Sequence, residues 1–193
     1  AYVGTQHAVA VNSGTSALHL CIKALGVEPE DEVITTPFSF VASANCILFE
    51  NAVPVFVDID PITFNLDVTQ IESKITSKTK AILPVHIFGL PCEMEPILSL
   101  GERYNLAILE DACEAIGASY RGRKVGGLGD CGVFGFYPNK QLTMGEGGVI
   151  VTNDDKIASL CRSLRNQGRD EIDGILNHSR LGYNYRISEV QCA

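Results

Sequence analysis

The sequence predicts an α/β chain, a mostly parallel sheet with helices on both faces. Two observations predict it. Apolar runs of strand length alternate with segments of helical period along the whole chain. Residues able to do chemistry, among them His86, Asp111 and Lys140, stand where those runs end. In open α/β sheets, ligands sit beyond the carboxyl ends of the strands. No linker or internal repeat breaks the pattern, so residues 1–193 read as one domain.

In chain order, residues 8–11 (Ala-Val-Ala-Val) form a short strand. Ser13 opens a helix with apolar Leu18, Cys21, Ile22 and Leu25, and Gly26 stands where a glycine ends it. Residues 32–36 and 54–58 are strands flanking a helix over about 39–50. Asn65 caps a polar helix running to Ile75. A strand at 81–86, a helix at 93–104 and a strand at 106–109 follow. The glycine-rich stretch after Gly117 holds strands near 133–136 and 148–152. Asn153 caps a helix to Arg165, and the sequence stops inside a young helix after Glu189. A start without Met and this stop read as the ends of a fragment of a longer protein.

Composition narrows the partners. The net charge of −8 argues against nucleic acid or an anionic membrane, though not against a local cationic pocket. Seven cysteines without a C-x-x-C pair point to neither a disulfide framework nor a zinc knuckle, and reduced thiols suit a cytoplasmic protein. No apolar run reaches membrane-spanning length.

The chemistry centres on Lys140. Phe134, Phe136, Tyr137 and Pro138 precede it, and Gly145, Gly147 and Gly148 follow. Upstream, Asp111 closes the apolar run Ala107-Ile-Leu-Glu-Asp. A lysine and a carboxylate on adjacent strand ends suit pyridoxal phosphate (PLP): the amine bonds to the aldehyde and the carboxylate pairs with the ring nitrogen. The plainer readings are a solvated surface lysine or a structural lysine paired with Glu146, and a helix-capping aspartate. Ser13-Gly14-Thr15-Ser16, between strand and helix, offers N–H groups and hydroxyls to a phosphate, or is an ordinary cap. Glu114 lies near the face of Asp111 if the turn is helical. His86 reaches the cofactor or is structural. Phe38 or Phe40 stacks on a planar ligand or packs in the core.

Nine segments in order resemble the DegT/DnrJ/EryC1/StrS family of PLP-dependent sugar aminotransferases. They include Asn12-Ser-Gly-Thr-Ser-Ala-Leu18, Thr36-Pro-Phe-Ser-Phe-Val-Ala-Ser43, Glu110-Asp-Ala-Cys-Glu-Ala115, Phe136-Tyr-Pro-Asn-Lys-Gln141 and Leu181-Gly-Tyr-Asn-Tyr-Arg-Ile187. The resemblance implies a fold-type I large domain, lacking its N-terminal lead-in and C-terminal small domain. It implies Lys140 as Schiff-base lysine, Asp111 on the pyridine nitrogen and Glu114 near the phenolic oxygen. It implies Gly14, Thr15 and Ser16 on the phosphate and Phe40 on the ring. Asn184 would reach the phosphate in a neighbouring subunit of a homodimer with shared sites. The implied reaction carries an amino group from glutamate to a nucleotide-linked keto-deoxysugar, and the segment 137–147 looks most like perosamine synthases. One position departs: the family commonly has Ser where this chain has Gly135, which removes a phosphate hydroxyl. Alternatives are a sugar dehydratase, against which Lys140 argues, and a PLP-binding regulatory relative without turnover.

Overall fold

The computed structural model describes residues 2–170 and 177–193. Its elements in chain order begin with β1 (His7–Val11), α1 (Gly14–Ala24), β2 (Glu32–Thr35), α2 (Ala42–Leu48) and β3 (Val53–Phe56). Then come α3 (Val68–Ile71), β4 (Thr79–Ile82), α4 (Met94–Tyr104) and β5 (Ala107–Asp111). A small hairpin, β6 (Ser119–Tyr120) and β7 (Arg123–Lys124), leads to β8 (Cys131–Gly135) and β9 (Gly148–Thr152). The last helices are α5 (Asp155–Arg165) and α6 (Glu189–Cys192).

Seven strands form one sheet in the order β1-β9-β8-β5-β4-β2-β3. β9 runs antiparallel to both its neighbours, β1 and β8. The pairs β8–β5, β5–β4, β4–β2 and β2–β3 are parallel. Because β9 reverses, the β8–β9 connection stays at the carboxyl end of β8, and that connection carries Lys140.

Each face buries its own apolar layer. One contains Leu18, Leu20 and Ile22 of α1, Ile47 of α2 and Leu164 of α5, packed with Val9, Leu109 and Val133 of the sheet. The other contains Met94, Ile97 and Leu100 of α4 with Ile34, Ile82, Ile108 and Phe134. Fully burying such a side chain contributes about 1.5–3 kcal/mol. Side chains alternate along a strand, and β5 sends Ile108 to the second layer and Leu109 to the first. Glu110 therefore faces the α4 side and Asp111 the α1 side.

Several boundaries differ from expectation for local reasons. Ser13 caps α1 as expected, accepting from the Ser16 amide, and Gly26 follows with φ 72°. α3 is only four residues long and is capped by Asp67, which accepts from Thr69 N, before a 3₁₀ turn at Glu72–Lys74. Asn65 is buried instead, accepting from Ile87 N at 3.0 Å and donating to the carbonyls of Leu90 and Pro91. Asp154, not Asn153, caps α5; Asn153 accepts from Gln6 N. α2 starts at Ala42, so residues 37–41 remain irregular. β4 ends at Ile82, because Pro84 has no N–H for the ladder; beyond it only Val85 bridges to Asp111. Among the described residues no helix is long and apolar enough to cross a membrane.

Candidate active site

Asp111 ends β5 and is 5% exposed. Its Oδ2 accepts from the Ser43 hydroxyl at 2.8 Å, and its Oδ1 from the Cys113 amide at 3.2 Å. Ser43 is itself joined to the Ser39 hydroxyl at 2.8 Å. No helix follows Asp111, so capping does not explain it; turns run from there to β6.

Glu114 lies on the first of those turns. Its Oε1 accepts from Lys140 Nζ at 3.0 Å and its Oε2 from the Phe88 amide at 3.2 Å. The Glu114 carbonyl accepts from the Gln141 side chain. These bonds bring the segments around 88, 114 and 140 together. Glu146, the alternative partner of Lys140, is not paired with it.

At the other side of the sheet end, α1 begins. An α-helix leaves its first amides without internal acceptors. Ser13 Oγ takes the amide of Ser16, and Ser16 Oγ bonds Ser13 Oγ at 3.0 Å. The amides of Gly14 and Thr15 remain able to meet an anion, with the helix dipole behind them. The turn fits closely. A Cβ at Gly14 would lie 3.0 Å from Cys113 Sγ, and one at Gly148 would lie 2.5 Å from Ser13 O.

A cavity of about 410 Å³ joins these parts; Gly14 and Thr15 line it together with Phe40, Asp111, Glu114 and Lys140. A second cavity of about 290 Å³ shares the last four and adds Phe38 and Phe88. Phe40 is 72% exposed and Phe88 75%. The Phe38 ring lies 5.7 Å from that of Phe64 and 6.3 Å from that of Phe88. Cys113 lines both cavities; burial, and then the Asp111 charge, push its thiol well up, so it stays protonated.

Three candidate residues lie outside both linings. Ser16 is buried in the cap. Asn184 is exposed, bridged to Asn166. His86 is fully buried and does not reach either cavity. Its Nδ1 accepts from Cys92 N, so its Nε2–H donates to Glu110 at 3.1 Å. Glu110 itself was missed by sequence reasoning. It is fully buried and accepts from the amides of Gly126, Leu128 and Gly129 at 2.7, 2.6 and 2.8 Å. A charged residue inside an otherwise apolar strand was the signal for it.

The model of the DegT/DnrJ/EryC1/StrS aminotransferase family matches residues 1–193. The GDP-perosamine synthase of Caulobacter vibrioides is 50% identical over 192 residues, covering 100% of this chain and 52% of that protein. The X-ray structure of the aminotransferase from Psychrobacter cryohalolentis superposes with TM-score 0.94 at 36% identity, over 98% of this chain and 51% of the other. NtdA from Bacillus subtilis, solved with bound cofactor PMP, gives 0.89 at 34% identity over 98% and 43%. The chain thus spans about half the length of the relatives it matches. Its sheet is the mostly parallel seven-stranded sheet of the fold-type I aminotransferases.

Proposed function

The chain belongs to the DegT/DnrJ/EryC1/StrS aminotransferase family, and from that premise we propose that the protein transfers an amino group from glutamate to a keto carbon of a nucleotide-linked deoxysugar. One observation carries the reading: Lys140, Asp111 and the opening turn of α1 line a single cavity of about 410 Å³.

The residues fit PLP, the cofactor of the family's solved members. Gly14 and Thr15, at the start of α1, suit the phosphate, and the space at Gly14 is one a side chain would fill. PLP, when bound, supplies an aldehyde that captures amines and a ring that takes up electrons. Lys140 is the amine for that aldehyde and the group that moves protons at the reacting carbon. Asp111, held by Ser43, presents a carboxylate that keeps a proton on the ring nitrogen. Phe40 offers its ring to a planar ligand. Asn184 serves the site of a second subunit in a homodimer.

For the acceptor we infer a 4-keto-6-deoxy sugar on a nucleotide. The likeness of residues 137–147 to perosamine synthases supports it, as does the 50% identity to one of them. The test is a screen of nucleotide-linked 3-keto and 4-keto sugars with glutamate, read by mass spectrometry. A 4-amino product from a 6-deoxy sugar is expected. PLP binding with no conversion of the cofactor by glutamate and no sugar aminated would overturn the enzyme reading in favour of a regulatory relative.

A further inference from the structure

We propose that Glu114 is a positioning and proton-carrying residue for Lys140. It takes the proton that Lys140 must shed before bonding to an aldehyde carbon, and returns it to the departing oxygen. The proposal rests on Lys140 being the lysine that bonds to PLP.

The backbone around Glu114 is built to aim its carboxylate. Phe88 has φ 50° and Gly89 has φ 89°, the left-handed region. For an aromatic residue such a φ is an outlier, and strained backbone of this kind clusters at functional sites. Here it brings the Phe88 amide onto Glu114 Oε2, which leaves Oε1 directed at Lys140 Nζ, 3.0 Å away. Gly89 completes the fit, since a Cβ there would lie 3.1 Å from the Glu114 carbonyl. The Gln141 side chain holds that same carbonyl, so the residue after Lys140 is tied to the residue paired with it.

The other ionisable groups on the two cavities are less suited. Asp111 has both oxygens engaged, by Ser43 and by the Cys113 amide. Cys113 is held as a thiol. Tyr137 and Glu146 line the larger cavity, but their side chains are not paired with Lys140 Nζ. Among the described residues, Glu114 is the carboxylate in ion-pair contact with it.

The step balances. The lysine ammonium gives one proton to Glu114, and the free amine bonds to the aldehyde carbon. A second proton passes from nitrogen to the former carbonyl oxygen. Glu114 then returns the first proton to that oxygen, which leaves as water. Nitrogen keeps one hydrogen and the positive charge in a carbon–nitrogen double bond, and Glu114 is again a carboxylate.

The experiment follows PLP capture by the whole protein after removal of its own cofactor. Borohydride quenching at intervals fixes the bond, and peptide mass mapping locates it. Arylation of Lys140 by trinitrobenzenesulfonate, which needs only a free amine, is measured alongside. Glu114→Gln should slow capture about 10²-fold, the scale of acid–base assistance, and slow arylation by much less, since arylation shares only the first proton transfer. Glu114→Ala should be slow too, and added acetate should restore its capture. Unchanged capture, parallel slowing of both reactions, or no rescue by acetate would overturn the proposal while leaving Lys140 in place. A label on another lysine would overturn the Lys140 assignment as well.

Discussion

Ser43 and Asp111 form a buried pair, with the serine hydroxyl donating to Oδ2 over 2.8 Å and the two residues 1% and 5% exposed. Helix α2 thereby holds the carboxylate that closes β5. A carboxylate held in advance needs no reorganisation when it faces a developing charge.

Asp111→Asn keeps the shape and removes the charge. Amination should fall roughly 10²-fold or more, as losing several kcal/mol of transition-state stabilisation requires. Ser43→Ala leaves the charge in place and should cost less, about tenfold, near the lower end of the 1.5–3 kcal/mol of one hydrogen bond to a charged group. Steady-state kinetics of both variants checks the order.

Gly135 has room for a hydroxyl-bearing side chain. A Cβ there would meet the Cβ and Sγ of Cys113 at 3.4 Å, an ordinary contact. Gly135→Ser should fold and hold PLP about tenfold or more tightly, because a new hydrogen bond to a phosphate contributes about 1.5 kcal/mol upward. Equilibrium dialysis measures it; an unchanged Kd would remove the phosphate from this side of the cavity.

Glu110 holds three backbone amides and His86 where no water reaches. Glu110→Ala should destabilise the chain by about 3–5 kcal/mol, since it strands all those donors. The denaturant midpoint should drop accordingly. His86→Ala should lower it by less.

Cys113 should resist alkylation although it lines the cavities. Burial, with Asp111 beside it, raises its pKa, so the reactive thiolate is scarce at neutral pH and grows only as pH rises far into the alkaline range. Exposed Cys192 should react first with iodoacetamide at pH 8. Peptide mapping that found half-buried Cys113 labelled first would contradict its raised pKa.

Asn184→Ala should weaken PLP binding in the partner of a homodimer and leave its own Lys140 intact. Mixed with Lys140→Ala subunits, it should give hybrid dimers with one doubly damaged site and one undamaged site. Regained activity on mixing is the expected result. No recovery despite proven subunit exchange would place each site within one chain.

Much of this architecture was readable from residue order. The strand runs, the Ser13 cap and the strand-end placement of Asp111 all follow from local pattern. What was not readable depends on long-range packing. Asn65 and Asn153 looked like caps, yet an aspartate one or two residues on took each role, and distant backbone claimed the asparagines. Glu110 sits beside Asp111, and the alternation of strand side chains sends the two to opposite faces. Only the amides of residues 126–129 reveal what Glu110 holds. The strand-end position of His86 leaves a cofactor contact and a structural role equally open, and Glu110 decides for the second by holding it in the core. Residue type gives no sign that Phe64 and Phe88 adopt left-handed backbone.

The reversed strand β9 also dictates an order of assembly. Among the described residues β1 lies at the sheet edge with β9 as its only strand partner, and Gln6 meets Asn153 from 147 residues away. Contacts so distant along the chain form slowly, and during synthesis the amino-terminal strand emerges long before its mate. The Ser13–Thr15 turn, proposed above to hold the phosphate, hangs directly from β1, so it should be among the last parts to be completed. PLP seated on that turn would recognise the finished domain rather than a nascent one. A ligand that binds only the completed form stabilises it by mass action, so added PLP should protect the folded chain against unfolding and proteolysis.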